Sequence, residues 1–142
     1  MKIAIINGPN LNFLGIREPG IYGSDTYQQL IDQVSTYGTQ KGHEIHCYQS
    51  NSEGALIDYI QSCYYNKFDG IVINPGAYTH YSYAIRDAIS SVKIPTIEVH
   101  LSNIHEREGF RKISVVQEVC SHQITGKKIQ GYLEAIDFLE SL

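Results

Sequence analysis

Glu98 and His100 stand two residues apart in the run Thr96-Ile97-Glu98-Val99-His100-Leu101. Side chains two apart on an extended chain share a face, so the carboxylate can orient the imidazole for proton transfer. A second pair lies near the amino terminus: Arg17 and Tyr22, a cation and a phenol able to meet over a ligand. Asn7, Asn10, Asn74 and His80 follow other apolar runs. The asparagines also fit as plain turn residues, because Asn tolerates such backbones, and His80 also fits as a helix cap or an exposed side chain. Three of the four arginines (Arg17, Arg107 and Arg111) fall in loops beside these groups. A chain of net charge −4 that gathers its arginines in one crevice is suited to a small carboxylate or phosphate. His80, His100 and His105 show none of the usual ligand spacings, so no metal is expected.

The elements that must position these groups alternate strand and helix. Ile3-Ala4-Ile5-Ile6 reads as a strand buried on both faces. The next seventeen residues carry the breaks Asn7-Gly8-Pro9-Asn10, Gly15, Pro19-Gly20 and Gly23. So long a loop is functional or disordered, and Leu11, Phe13, Leu14, Ile16 and Ile21 supply apolar anchors for an ordered one with a movable tip. Ser24 or Asp25 can cap a helix with Tyr27, Leu30, Ile31, Val34 and Tyr37 on one side, ending near Gly42. Ile45 to Tyr48 alternates and suits a sheet edge. Ser52 caps a helix that presents Ala55, Leu56, Tyr59, Ile60 and Cys63. Asp69-Gly70 leads into the strand Ile71-Val72-Ile73, which breaks at Asn74-Pro75-Gly76. A third helix buries Ala84, Ile85, Ala88 and Ile89, with Tyr78, Tyr81 and Tyr83 for packing or interface. The run Thr96–Leu101 is the fourth strand, Ser121 to Thr125 a weaker fifth, and Gly131 opens a last helix through Leu133, Ile136 and Leu139. Five strands separated by helices imply an α/β, flavodoxin-like, doubly wound five-stranded parallel sheet with helices on both faces. In that architecture chemistry sits at the carboxyl ends of the strands, around the topological switch point.

At 142 residues the expectation is a single domain, 1–142. The composition is 42% hydrophobic and 18% charged with an acidic balance, which excludes nucleic acid and an anionic membrane surface as principal partners. No apolar run approaches spanning length and the amino terminus lacks a signal-peptide core. Three widely spaced cysteines without a C-x-x-C pair read as reduced, buried thiols of a cytoplasmic protein. The first loop also excludes familiar uses of this fold. NGPN offers no Ser, Thr or Lys for a phosphate cradle, no acidic pair for a receiver domain, and no dinucleotide fingerprint.

Four segments, NGPNLNFLGIREPGIYG, QSNSEGALIDYIQ, INPGAYTHYSYAIRDAI and IEVHLSNIHEREGFRKIS, resemble type II 3-dehydroquinate dehydratase in the same order, from Ile3 to about Ser114. The resemblance implies a cytoplasmic hydro-lyase that reversibly converts 3-dehydroquinate to 3-dehydroshikimate without metal or cofactor. It implies a homo-oligomer as well, a dodecamer built as a tetramer of trimers. By motif, Tyr22 is the base, Arg17 the essential cation, His100 the general acid with Glu98 as its orienting partner, and Asn10 the holder of a catalytic water. Asn74, His80, Leu101, Ser102 and Arg111 match substrate-binding positions, Arg107 a second arginine beside them, and Asp87 an aspartate reaching a neighbouring subunit's site. Tyr81 departs from the family's small hydroxyl residue, and His122 and Lys128 from its glycines.

Those roles make chemical sense. A free tyrosine has a pKa of about 10, and two to three units of depression by Arg17 would need roughly 3–4 kcal/mol of differential stabilisation. Asn10 and a held water could bear enolate charge, and an imidazole with a free pKa of about 6.5 suits protonation of a leaving hydroxyl. A non-enzymatic anion-binding domain of the same fold is the other reading, though a binder has no need of Tyr22 paired with Arg17. The reaction serves both shikimate-pathway synthesis of aromatic amino acids and quinate breakdown, and the residues do not choose between them.

Overall fold

The computed structural model describes residues 1–16, 20 and 25–142. Five strands, β1 (Lys2–Asn7), β2 (Glu44–Gln49), β3 (Gly70–Asn74), β4 (Thr96–His100) and β5 (His122–Thr125), pair in parallel in the order β2-β1-β3-β4-β5. The alternation of side chains along each strand feeds two separate apolar layers. Ile3 and Ile5 point to the face covered by α1 (Tyr27–Gln40) and α4 (Ile129–Ser141). Ala4 and Ile6 point to the face covered by α2 (Glu53–Tyr65) and α3 (Tyr83–Val92). This is the flavodoxin-like doubly wound sheet that the strand and helix signals predict. Among the described residues no helix is long and apolar enough to cross a membrane.

Packing, rather than intrinsic propensity, holds the shorter helices. A ten-residue helix such as α3 is marginal alone in water. Ile85, Ala88, Ile89 and Val92 bury its inner side, each large aliphatic contributing about 1.5–3 kcal/mol. Ala84, expected in that stripe, is exposed instead, because the stripe continues one turn further to Val92. The cap of α1 is Thr26 rather than Ser24 or Asp25: its hydroxyl accepts from Gln29 N at 3.1 Å, and Gln29 Oε1 accepts from Thr26 N at 2.7 Å. Ser24 lies outside the described residues. Ser52 caps α2 as expected, and Ser82 caps α3, which leaves His80 free of that duty. The last helix begins at Ile129, not Gly131, and buries Tyr132 completely while Leu133 is only half-buried. In the first loop Leu11 and Leu14 are buried, but Phe13 and Ile16 are exposed and anchor nothing; Ile21 lies outside the described residues. All three cysteines are free, with Cys63 buried and Cys47 and Cys120 half-buried.

The chain leaves β1 toward β2 on one side and returns to β3 on the other, so the switch point lies between β1 and β3. Asn7 and Asn74 end those strands in register with each other. Both are buried, and Tyr132 joins them from α4: its hydroxyl donates to Asn7 Oδ1 at 2.6 Å and accepts from Asn74 Nδ2 at 3.0 Å. Directly after, Gly8 N donates to Asn74 O at 2.8 Å. A Cβ on Gly8 would stand 2.5 Å from the carbonyl oxygen of Pro75, so only glycine allows the two loops to close together.

Two variants test this account. Gly8→Ala should lower stability by about 1–3 kcal/mol in denaturant unfolding, since the clash is with backbone and nothing flexible can yield. Lys128 holds φ 53°, ψ −140°, a backbone that suits glycine, the residue that the resemblance implies at this position. Lys128→Gly should therefore raise stability, by about 1 kcal/mol, and an unchanged or lower midpoint would show the strain to be relieved elsewhere.

Candidate active site

The carboxyl ends of β1, β3 and β4 open onto a cavity of about 260 Å³. Asn10, Asn74, His80, His100, Leu101, Ser102, Arg107 and Arg111 line it, so eight of the residues singled out in the sequence converge on one space. His100 lies at the end of β4, where the strand stops and the polar segment from Ser102 onward turns over the cavity. Its Nε2 is 2.5 Å from Glu98 Oε2. An ionised carboxylate only accepts, so the imidazole donates from Nε2 and keeps Nδ1 for other work.

Glu98 itself has no exposed surface and does not line the cavity. Four side chains replace the water it has lost. Besides His100, the Thr79 hydroxyl donates at 2.5 Å, Ser114 Oγ lies 2.9 Å from both carboxylate oxygens, and Gln123 Nε2 donates at 3.0 Å. Burial alone would raise the Glu98 pKa; the hydrogen bonds from His100, Thr79 and Ser114 with the neighbouring imidazole charge outweigh it, and the net direction is downward. The carboxylate is thus held ionised behind His100.

His80 comes from the 3-10 turn Gly76–His80, which follows the break in β3. Its Nδ1 donates to the Ile113 carbonyl at 2.7 Å, which leaves Nε2 as an acceptor. Burial lowers its pKa, the Ile113 carbonyl opposes that, and the charges of His100, Arg111 and Arg107 add to the lowering. The Arg111 guanidinium stands 5.1 Å from the centre of the Phe110 ring, and that ring meets His80 edge-on. Asn10 adopts φ 69°, the left-handed turn conformation, and its N–H donates to Asn51 Oδ1 at 3.0 Å. Asn10 is thus a turn residue, and it also lines the cavity. The cavity thus combines two guanidinium groups, a neutral imidazole and an imidazole backed by a buried carboxylate, which is equipment for holding an oxygen-rich anion and moving a proton.

The family model described as dehydroquinase class II matches residues 1–140. The chain belongs to that family. It is 56% identical over 142 residues to the 3-dehydroquinate dehydratase of Lachnoclostridium phytofermentans, covering all of this chain and 98% of that one. Among solved structures it superposes on the type II dehydroquinase of Butyrivibrio crossotus with a TM-score of 0.97 and 61% identity, covering 99% and 97% of the two chains. The type II dehydroquinase of Propionibacterium acnes gives 0.95 at 39% identity, with the same coverage.

Other expected residues fall elsewhere. Asp87 is exposed on α3 and does not line this cavity. Arg17 and Tyr22 lie outside the described residues. Among the described residues no group of three His, Cys, Asp or Glu side chains is placed to hold a metal ion, and His105 turns instead to Gln123 Oε1 at 2.8 Å. Thr79, Ser114, Gln123 and Tyr132 were not foreseen from the sequence. Thr79 and Ser114 sit inside the resembling segments THYSY and RKIS, which was a usable signal; Gln123 and Tyr132 gave none.

Glu98→Gln checks the buried charge. An amide must turn one N–H toward a donor, so stability near pH 7 should fall by about 1–3 kcal/mol. Because folding lowers the Glu98 pKa, wild type gains stability above the ordinary carboxylate range and loses it as pH drops through the lower folded value. The gap between the two proteins should therefore narrow in acid, and a gap independent of pH would refute the ionised carboxylate.

Proposed function

We propose that this chain is a cytoplasmic 3-dehydroquinate dehydratase that removes water from 3-dehydroquinate through an enolate, with Tyr22 as base and His100 as general acid. The observation that carries this reading is His100 lining a cavity that holds Arg107 and Arg111, with the Glu98 carboxylate behind its other nitrogen. Loss of water beside a ketone needs an α-proton taken, an enolate stabilised and the departing hydroxyl protonated. Tyr22 takes the proton from carbon, and the electron pair of that C–H bond passes into the enolate. His100 gives its proton to the hydroxyl, which leaves as water while the enolate collapses to the conjugated enone. The ketone carbonyl, the ring hydroxyls and the carboxylate of the substrate account for the arginines, for Asn74 and Ser102, and for the acceptor nitrogen of His80. Arg17, five residues from Tyr22, supports the tyrosinate by Coulomb attraction, and Asn10 holds the water that shares the enolate charge.

The assembly follows the same reading: a symmetric homo-oligomer, a dodecamer made of trimers. Asp87, exposed and outside the lining of its own cavity, is the residue that would reach a neighbour's site. Sedimentation should show no active monomer at assay concentration.

The decisive experiment is ultraviolet absorbance with 3-dehydroquinate, since the enone product absorbs where the substrate does not; an anion-binding domain would give no signal. Tyr22→Phe should lower kcat about 10²–10⁴-fold without loss of fold. Arg17→Ala should also lower kcat, yet its residual activity should climb with pH well past the wild-type optimum, as the phenol drifts back toward its free pKa. Tyr22→Phe should lack that basic limb. Near-normal kcat in Tyr22→Phe would remove Tyr22 as the base.

A further inference from the structure

Gln123 is an unassigned polar residue in the edge strand β5, and it is paired in register with Glu98. Its amide bridges two imidazole systems. Nε2 lies 3.0 Å from Glu98 Oε1, and Oε1 lies 2.8 Å from His105 Nε2. The direction of the bridge follows from chemistry. An ionised carboxylate cannot donate, so the amide nitrogen must face Glu98, the amide oxygen must face His105, and the proton must sit on His105 Nε2. His105 belongs to the 3-10 turn Ile104–Glu106, and both Ile104 before it and Arg107 after it line the cavity. Asn103 fastens the same turn to β5, its Oδ1 accepting from His105 N at 3.1 Å and Thr125 Oγ1 at 3.4 Å.

We propose that Gln123 and His105 form a strut that positions the general acid: Gln123 fixes the rotamer of Glu98, hence of His100, and ties both to the segment that carries Arg107. This rests on the lyase reading for its kinetic consequence. Gln123 touches no reacting atom, so it acts through Glu98 alone as a positioning residue. Apart from His100, the other donors to Glu98 are Thr79, from before β4, and Ser114, from after it, and among the described residues neither bonds to the Ile104–Glu106 turn. Among the described residues, the Gln123 bond is the hydrogen bond of Glu98 that leads on to that turn, through His105.

Three variants test the strut: Gln123→Met, Gln123→Glu and His105→Ala. Gln123→Met keeps the bulk and removes the donor; its kcat on 3-dehydroquinate should drop roughly 10- to 100-fold with KM changed less than about threefold, the size expected when a reacting group is displaced without loss of substrate binding. Gln123→Glu carries the discriminating readout. Protonated, the new carboxyl donates to Glu98 as the amide does; ionised, it repels it, and burial beside a like charge raises the pKa of the pair. Its kcat should therefore approach wild type in mild acid and fall as pH rises, a limb absent from both wild type and Gln123→Met. The titratable groups facing this position are His100 on β4, His105 on the turn and Cys120 before β5, with His122, Lys127 and Glu134 in the outer groove that Gln123 also lines. Their titrations are common to all the proteins, so the limb is read by difference. His105→Ala should give a smaller kcat loss than Gln123→Met, in the same direction.

Nitrogen-15 NMR of the His100 ring supplies a readout without turnover: Gln123→Glu should add a pH-dependent step to both ring nitrogens that the wild-type signals lack. If wild type turned over no 3-dehydroquinate, the lyase reading would fail while the ring signals still decided the strut. Unchanged His100 signals in all three variants, or equal losses of kcat and melting temperature with no new limb in Gln123→Glu, would overturn it and leave Gln123 a packing residue.

Discussion

A carboxylate without solvent cannot stay charged inside a parallel sheet unless polar partners replace its water. Glu98 meets that condition only when four segments are in place at once: the end of β4 for His100, the turn after β3 for Thr79, the residues before β5 for Ser114, and β5 itself for Gln123. None of these is a neighbour along the chain except His100. An unpaired buried charge costs several kcal/mol, comparable with the whole margin by which a domain stays folded. The charge is therefore a constraint on the fold as much as a tool within it. Any arrangement of the loops that left Glu98 short of a donor would lose stability and His100's orientation together.

The switch point is built on the same logic with neutral groups. Asn7 and Asn74 end adjacent strands with buried amides, and the Tyr132 phenol satisfies one atom of each. Burial pushes that phenol well above its ordinary pKa against the opposing pull of the Asn74 bond, so it keeps its proton at neutral pH and can donate to Asn7. Gly76 N completes the arrangement by donating to Asn74 Oδ1 at 3.1 Å. Asn74 thus presents a fixed edge to the cavity. Polar groups of the loops are tied to the sheet while the apolar layers, which carry most of the stabilisation, stay clear of the chemistry.

Local pattern made the five strands and the helices readable, because two-sided burial writes itself as unbroken apolar runs such as Ile71-Val72-Ile73, and Gly and Pro mark where they stop. The Glu98–His100 pairing was readable too, from the two-residue period of a strand alone. What was not readable depends on register and on helix phase. Gln123 looks like a solvent-facing residue of a weak edge strand until the parallel pairing of β4 with β5 sets it opposite Glu98. Tyr132 sits one residue before Leu133, and only the true start of α4 at Ile129 turns the tyrosine inward in place of the leucine. Ala84 failed for the same reason in reverse, and Thr26 displaced Ser24 and Asp25 because its reciprocal bond with Gln29 supplies two contacts where a lone cap supplies one.

The distribution of charge bears on why a binding reading is the weaker one. Holding an anion needs Arg107 and Arg111 and little else, and both sit on 3-10 turns and loop residues that could vary without disturbing the sheet. Burying an ionised Glu98 behind His100 adds nothing to such binding; a negative charge near the site weakens it. The carboxylate is useful when the imidazole must carry a positive charge at one moment and lose it at the next, since a fixed anion stabilises the cation and holds the ring on its axis through both states. His80, by contrast, is kept from charging by burial and by its cationic neighbours, and so offers a steady acceptor. One imidazole is backed by a buried carboxylate and the other is kept neutral, a division that the proposed proton transfer would use and anion binding would not.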